Sequence, residues 1–442
     1  MAERLKVEPI SGFPEWAPNV RLAEERLLNI IREQYQLFGF TSIETPAVER
    51  FDVLTAKGGI QRQIYTVGKP EEGQSDAEEM GLHFDLTVPL ARYVVQHAHE
   101  IIFPFRRYQI QKVWRGERAQ RGRFREFYQC DVDIIGREKL DSFHDAEIPC
   151  VINSTFEAMG LPAFRVQISN RKILGDLLSV EDSSPEKLAN VLRVIDKCDR
   201  DGLGKTQEGL QREGVSANLL PAITELILCQ EMIDARKVLE TAGAKLDGWN
   251  ELNQVMSYAI DLGMPAERLS PNFSIARGLD YYTGTIYETF IVGKEDWGSI
   301  CSGGRYDDLA AYFTNQKYPG VGISIGLTRL FNLLVNSEMI DVSRHTPTQV
   351  LITMQDREAY MSEYLQLASL LRENGIPTQV FFQKAKLGKQ FGYASDNGIP
   401  LAIILGESEV VEGKVTVKDL NAREQVTIER GALVQFIQSK LS

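Results

Sequence analysis

Along the chain, apolar positions recur first at helical spacing and then at strand spacing. Leu27, Ile31 and Phe38 share one face of a helix predicted over 19–38, with Gly39 suited to its C-terminal cap. A short strand, FTSIETP, is closed by Pro46. β-branched and aromatic residues, partly alternating, predict strands or strand edges at 83–95, 107–117 and 124–135. The period then changes. In SSPEKLANVLRVIDKC, Ser184 and Pro185 mark a helix start, and Leu188, Leu192 and Ile195 follow at helical spacing. Helical pattern continues through Ile260, so 176–262 is predicted as a helical insert. Strand character returns at 272–292 and 297–305, and a helix follows at about 322–337. SRHTPTQ, 343–349, reads as a linker. Beyond it QVLITM, PTQVFF and LAIILG read as strands, and between the first two lies a helix capped by Asp356 and stopped by Gly375. That alternation predicts a separate small α/β domain. The expected organisation is a first catalytic part at 1–175, the insert at 176–262, a second catalytic part at 263–342 and the small domain at 348–442.

Composition narrows the class. A chain of 442 residues, 43% hydrophobic and 25% charged, fits an ordinary soluble protein of several domains. Its apolar runs fall short of a membrane span, and the start MAERLKVEPI has no apolar core of a secretory signal. The five cysteines are scattered and never form CxxC, which predicts a reducing compartment, the cytoplasm, and neither a disulfide framework nor a zinc site. A formal net charge of −12 opposes indiscriminate nucleic-acid binding but permits one local basic patch.

Such a patch exists. From Arg106 to Arg125 there are eight cations against one anion, Glu117, and the pattern then turns acidic at Glu126, Asp131 and Asp133. Strand alternation places Gln109, Gln111, Arg115 and Glu117 on one face before the basic loop, and Arg125, Phe127, Gln129, Asp131 and Asp133 on one face after it. The geometry expected is an antiparallel hairpin tipped by RAQRGR. Its polar side would carry Arg115, Glu117, Gln129 and Asp133 toward a cleft. Arginine forks suit phosphate, and carboxylates suit an ammonium or a ring N–H. A ligand with both a phosphate and an amino group would use both.

Three further stretches join this one. SIARGLDYYTGTIYETF sets Arg277 before the pair Tyr281 and Tyr282, a stacking surface with two hydroxyls. SGGRYDDL follows at the next strand. GVGISIGLTRLFNLL is a glycine-rich strand entering a helix with Arg329 as its single cation. DGLGKT, 201–206, imitates part of a phosphate loop, but Asp199 stands where the first glycine is required and no strand precedes it. His97 and His99 read as a surface strand end rather than a metal pair.

Together these segments resemble histidyl-tRNA synthetases, class II aminoacyl-tRNA synthetases. FGFTSIETPAVE is similar to their dimer-forming first motif, WRGERAQRGRFREFYQCDVDIIG to the second and GISIGLTRL to the third. FDLTVPLARY, ARGLDYYTG and SGGRYDDL are similar to the histidine branch, and AKLGKQFGYASDNGIPLAIILGESE to the shared anticodon-binding domain. The resemblance implies an α+β catalytic domain on a mixed, mainly antiparallel sheet flanked by helices, with a helical insert and a small C-terminal α/β domain. It implies ATP-dependent ligation of L-histidine to tRNA(His) through a histidyl-adenylate, with Mg²⁺ on ligands the sequence does not single out, in a cytoplasmic homodimer. Carried across residue by residue, Arg115 would hold the ATP α-phosphate and the substrate carboxylate, and Arg277 would be a fixed cation at the reacting phosphate. Glu117, Arg123 and Phe127 would meet adenine and phosphates, and Arg329 the γ-phosphate. Asp85, Thr87, Gln129 and Asp133 would surround the α-amino group, and Tyr281 and Tyr282 the imidazole. The tip, with Gln120, Arg121 and Arg123, would face the tRNA acceptor end, although Ala119 stands where many relatives have proline. A regulatory paralogue of ATP phosphoribosyltransferase is the alternative. It usually lacks the C-terminal domain and parts of the catalytic set, whereas Arg115, Gln129, Arg277 and Arg329 are all here.

Overall fold

The computed structural model describes residues 7–56, 61–68, 79–118, 122–181, 184–275 and 282–441. The chain divides into two compact units, Met1–Pro14 with Leu27–Leu333, and Glu15–Arg26 with Leu334–Ser442.

Among the described residues the first unit carries β1 (Thr41–Ser42), β2 (Val48–Arg50), β3 (Thr66–Val67), β4 (Met80–Leu82), β5 (Phe105–Trp114), β6 (Glu126–Ile135), β7 (Phe164–Asn170), β8 (Leu269–Pro271), β9 (Thr285–Ile291), β10 (Cys301–Tyr306) and β11 (Gly320–Gly326). Eight of them form one sheet in the order β1-β5-β6-β11-β10-β9-β7-β8. Only the terminal pairs β1/β5 and β7/β8 run parallel; the central pairs are antiparallel. The expected mixed, mainly antiparallel sheet is therefore present. The short strands β2, β3 and β4 make a separate three-stranded sheet.

Alternation along β6 divides the sheet's faces. Cys130, Val132 and Ile134 are buried on the side where Tyr35, from the helix Pro18–Leu37, donates its hydroxyl to the Cys130 carbonyl at 3.0 Å. Gln129, Asp131 and Asp133 project from the opposite side. Between β7 and β8 the described chain is helical, from Arg171–Leu178 to Asp247–Asp261. Ser184 caps Pro185–Ile195 by accepting from the Lys187 amide, as its sequence predicts.

Three elements differ from expectation. Residues 83–95 do not make a strand: Thr87–Gln96 is a helix. Asp85 Oδ1 accepts the Thr87 and Val88 amides at 3.2 and 2.9 Å, and Pro89 sits in the first turn, where its missing N–H costs nothing. The helix predicted from 322 begins at Leu327, because 320–326 is β11, paired on both edges. Of the strand expected over 272–292, 285–291 is β9.

In the second unit β12 (Val350–Ile352), β13 (Thr378–Val380), β14 (Leu401–Ile404), β15 (Lys414–Asp419) and β16 (Glu424–Glu429) form a five-stranded sheet in the order β13-β12-β14-β15-β16. Asp356 caps the helix Arg357–Glu373 by accepting two amides. The antiparallel pair β15/β16 was not expected, and its outer strand is largely exposed, which weakens the apolar signal.

Candidate active site

The predicted hairpin is β5 and β6, in a register that sets Arg107 opposite Asp133, Gln109 opposite Asp131 and Gln111 opposite Gln129. The eight cations of this stretch are not one device. Arg106 forms a two-pronged pair with Glu147 at 2.9 and 2.6 Å. Lys112 pairs with Glu126 at 2.5 Å, and Arg125 donates to the Glu117 carbonyl at 2.9 Å. Arg107, fully buried, lies 2.6 Å from Asp133 Oδ2. That contact is not aligned as a hydrogen bond, so Arg107 acts there through charge. Of the other cations, Arg115 and Arg123 line the cleft.

Two adjoining cavities open on the sheet's polar face. One, of about 300 Å³, is lined by Arg115, Glu117, Arg123, Phe127 and Arg329 among others. The other, of about 470 Å³, is lined by Asp85, Thr87, Asp131, Asp133 and Tyr282 among others. Arg115, Glu117, Gln129, Ser302 and Ser324 line both. Arg115 therefore stands at the junction. Its guanidinium lies 4.4 Å from the Phe84 ring centroid and 5.1 Å from that of Phe127, and its Nε donates to the Phe84 carbonyl at 3.3 Å. Two aromatic faces and one carbonyl fix the plane of the fork, so little side-chain entropy is left to lose on binding.

The first cavity is cationic. Arg329 donates to the Trp297 carbonyl, and burial followed by repulsion from Arg123 pushes its guanidinium below the usual arginine range. Glu117 lies 3.6 Å from Arg123. Cations held near one another are stabilised by an incoming polyanion.

The second cavity is acidic. Asp133 accepts from the Tyr306 hydroxyl at 2.7 Å. Asp131 is pushed up to about 7, first by burial; Arg107 opposes the shift, while Asp133 and Asp85 add to it. Close approach of β10 and β11 makes this floor: a Cβ at Gly322 on β11 would lie 2.2 Å from Asp133 Oδ1, and one at Gly304 on β10 2.9 Å from the Tyr282 ring. Asp85 has two jobs, since it lines the cavity and caps the helix that begins at Thr87.

The structure thus brings together Asp85, Thr87, Arg115, Glu117, Arg123, Phe127, Gln129, Asp133, Tyr282 and Arg329 around two connected cavities. Arg277 and Tyr281, and Gln120 and Arg121 of the tip, lie outside the described residues. Sequence reasoning missed Asp131, Ser324, Tyr306 and Phe84 as lining residues. Parity with Gln129 and Asp133 was the signal for Asp131, and parity with Gly322 and Gly326 for Ser324. Arg305, from SGGRYDDL, turns away into a buried pair: its Nε lies 3.1 and 3.0 Å from the two Asp145 carboxylate oxygens, and its Nη2 2.7 Å from one of them.

The phosphate-loop imitation at 201–206 spans two helices, with the Thr206 hydroxyl bonded to the Gly202 carbonyl. His97 and His99 each contact Glu100 at 3.2 Å. Among the described residues no group of three or more His, Cys, Asp or Glu gathers as a metal site, and no helix is long and apolar enough to cross a membrane.

Known proteins are similar to this chain in sequence and fold. Residues 12–330 match the family model described as histidyl-tRNA synthetase, and residues 349–440 match an anticodon binding domain. A histidine--tRNA ligase of Stenotrophomonas maltophilia is 42% identical over 97% of this chain and 97% of its own. The crystal structure of histidyl-tRNA synthetase from Nostoc sp. PCC 7120 superposes with a TM-score of 0.90 at 38% identity, over 99% of this chain and 100% of that one. An ATP phosphoribosyltransferase regulatory subunit/histidyl-tRNA synthetase from Bacillus halodurans shares the fold at a TM-score of 0.71 and 20% identity, over 88% and 97% of the two chains.

Proposed function

The chain belongs to the histidyl-tRNA synthetase family, and from that premise we infer that it ligates L-histidine to tRNA(His) at the expense of ATP. The observation that carries the reading is the pair of connected cavities, cationic at one end and acidic at the other, with Arg115 at their junction. The acidic end takes the amino acid: Asp85, Thr87, Gln129 and Asp133 receive the ammonium, and Tyr281 and Tyr282 line the imidazole. The cationic end takes ATP, with Phe127 under adenine, Glu117 and Arg123 beside adenine and phosphates, and Arg329 on the γ-phosphate.

In the first step a carboxylate oxygen of histidine bonds to the α-phosphorus and the bond to the bridging oxygen breaks, releasing pyrophosphate. Two anions must meet, so Arg115 and Arg277 offset their repulsion and the charge that builds on phosphorus. The acidic row holds the ammonium, which points the carboxylate at phosphorus. In the second step the hydroxyl of the 3′-terminal ribose of tRNA attacks the acyl carbon and AMP leaves. No protein nucleophile is needed. Mg²⁺ carried on the phosphates would neutralise their charge; such an ion needs only one or two carboxylates beside phosphate and water, and Glu117 in the ATP cavity is suited to supply one.

Residues 348–442 would read the anticodon, with Lys389 beside it, and 176–262 would form the insert. The RAQRGR tip, with Gln120, Arg121 and Arg123, would face the acceptor end. The working form would be a cytoplasmic homodimer. The regulatory alternative is less supported, since the matched relative carries the ligase name over nearly its whole length.

Charging of a tRNA(His) transcript with labelled histidine tests the reading. The full chain charges it, and Arg329→Ala and Arg277→Ala each lower the rate about 10²–10³-fold, as for loss of one donor to transition-state charge. An Arg277→Ala protein that folds and charges at the wild-type rate removes Arg277 from the chemistry.

A further inference from the structure

Tyr282 reaches the acidic cavity from a stretch of backbone that is held on both sides. On one side Thr283 is tied to the end of β10: its amide donates to the Arg305 carbonyl at 2.8 Å, and its hydroxyl to Asp307 Oδ2 at 2.6 Å. On the other stands Arg171, the first residue of the helix Arg171–Leu178. Its amide donates to the Gly284 carbonyl at 3.0 Å, and its guanidinium Nη1 to the Tyr282 carbonyl at 2.7 Å. The Tyr282 ring packs with Ala91, Tyr306 and Phe313. Ring and carbonyl thus have separate seats, and the seat of the carbonyl is a cation.

Arg171 is in turn set by a second helix. Asn170, just before it, caps its helix by accepting the Lys172 amide at 3.0 Å. That leaves the Asn170 side-chain nitrogen to donate to Glu251 Oε1 at 2.9 Å. Lys172, just after it, pairs with Glu251 Oε2. One carboxylate therefore holds both neighbours of Arg171. Glu251 belongs to Asp247–Asp261, the last α-helix of the stretch predicted as an insert. The two helices meet closely there: the Gly248 amide donates to Asp176 Oδ2 at 2.8 Å, and a Cβ at Gly248 would lie 2.4 Å from the Ile173 nitrogen. An isolated surface ion pair contributes little. This carboxylate instead makes two contacts that flank a third residue, and that residue's fork grips the backbone of a cavity wall.

We propose that Arg171 is a positioning residue for the amino-acid end of the site, fixing the backbone of Tyr282, and that Glu251 is the contact through which the predicted insert supports it. The proposal rests on reading this cavity as the histidine site. Steady-state histidine-dependent exchange of pyrophosphate into ATP tests it. In Arg171→Ala the Tyr282 carbonyl loses this donor, and the KM for histidine rises about tenfold, the worth of one hydrogen bond to a charged group. The KM for ATP and kcat stay within about twofold, because no member of the clamp lines the cationic cavity. Arg171→Lys keeps a cationic donor and brings the KM for histidine back to within about threefold of wild type. Glu251→Gln keeps the shape without the charge and raises the KM for histidine about threefold. Because Glu251 acts through Arg171, adding Glu251→Gln to Arg171→Ala raises it no further. An unchanged KM for histidine in either single variant, an equal rise in the KM for ATP, or a Glu251→Gln effect that persists in full in the Arg171→Ala protein overturns the clamp. Where Arg171→Ala fails to fold, Glu251→Gln decides alone. Wild-type protein without histidine-dependent exchange overturns instead the reading of the cavity.

Discussion

Asp131 shows how a single carboxyl at a cavity wall is kept at the expense of stability. Its carboxyl is pushed from 3.8 up to about 7, chiefly by burial, with Arg107 pulling it down and Asp133 and Asp85 pushing it further up. The ligand-free folded chain therefore keeps, between those two values, a proton that the unfolded chain has released. Its contribution to stability falls as pH rises through that window. Asp131→Asn should raise the unfolding free energy of the ligand-free protein at pH 8 by on the order of 2 kcal/mol, and its melting midpoint with it. It should weaken histidine binding at the same time. The stability gap should narrow toward pH 5, and calorimetry at both pH values checks the sign; a gap independent of pH contradicts it. Strand parity already placed Asp131 beside Gln129 and Asp133. What parity could not show was Ser324, nearly two hundred residues away, whose hydroxyl accepts from the Gln129 amide at 2.7 Å.

At the level of elements, the hairpin was legible because two alternating runs flank a basic loop, and β5/β6 reproduces that geometry. The charges on it were not. Opposite charge was visible, but partners such as Glu147 and Asp133 are chosen by register and packing, so half the basic run is structural. The segment 83–95 misled for a related reason: its apolar residues suit either period, and the Asp85 cap with Pro89 in the first turn decides for helix. Two changes test the frame. Gly322→Ala would drive β11 off Asp133 and the Val132 carbonyl, costing about 1–3 kcal/mol and the shape of the acidic cavity with it. Arg305→Ala would leave Asp145 buried beside Thr285 with no cation, costing about 3–5 kcal/mol in thermal or denaturant unfolding without touching either cavity wall. Wild-type stability in the second variant would show that Asp145 is compensated from elsewhere.

At the scale of the molecule, class and family were readable because three short motifs and a change of grammar near residue 343 are local features. The two cavities are not local: β6, β10 and β11 come from separate stretches and meet only in the folded sheet. A chain ended at residue 343 should still form adenylate while charging tRNA poorly; equal charging would give residues 348–442 another task. The acidic whole, with net charge −12, makes RNA binding depend on local patches, so charging should fall steeply with added salt. The central claim is that one continuous site holds ATP and histidine with Arg115 between them. Exchange of labelled pyrophosphate into ATP tests it most directly. Wild-type protein should exchange only when histidine is added, and Arg115→Ala should lose about 10²–10³-fold of that rate. Histidine binding without any exchange in the wild type, or undiminished exchange in Arg115→Ala, would contradict it.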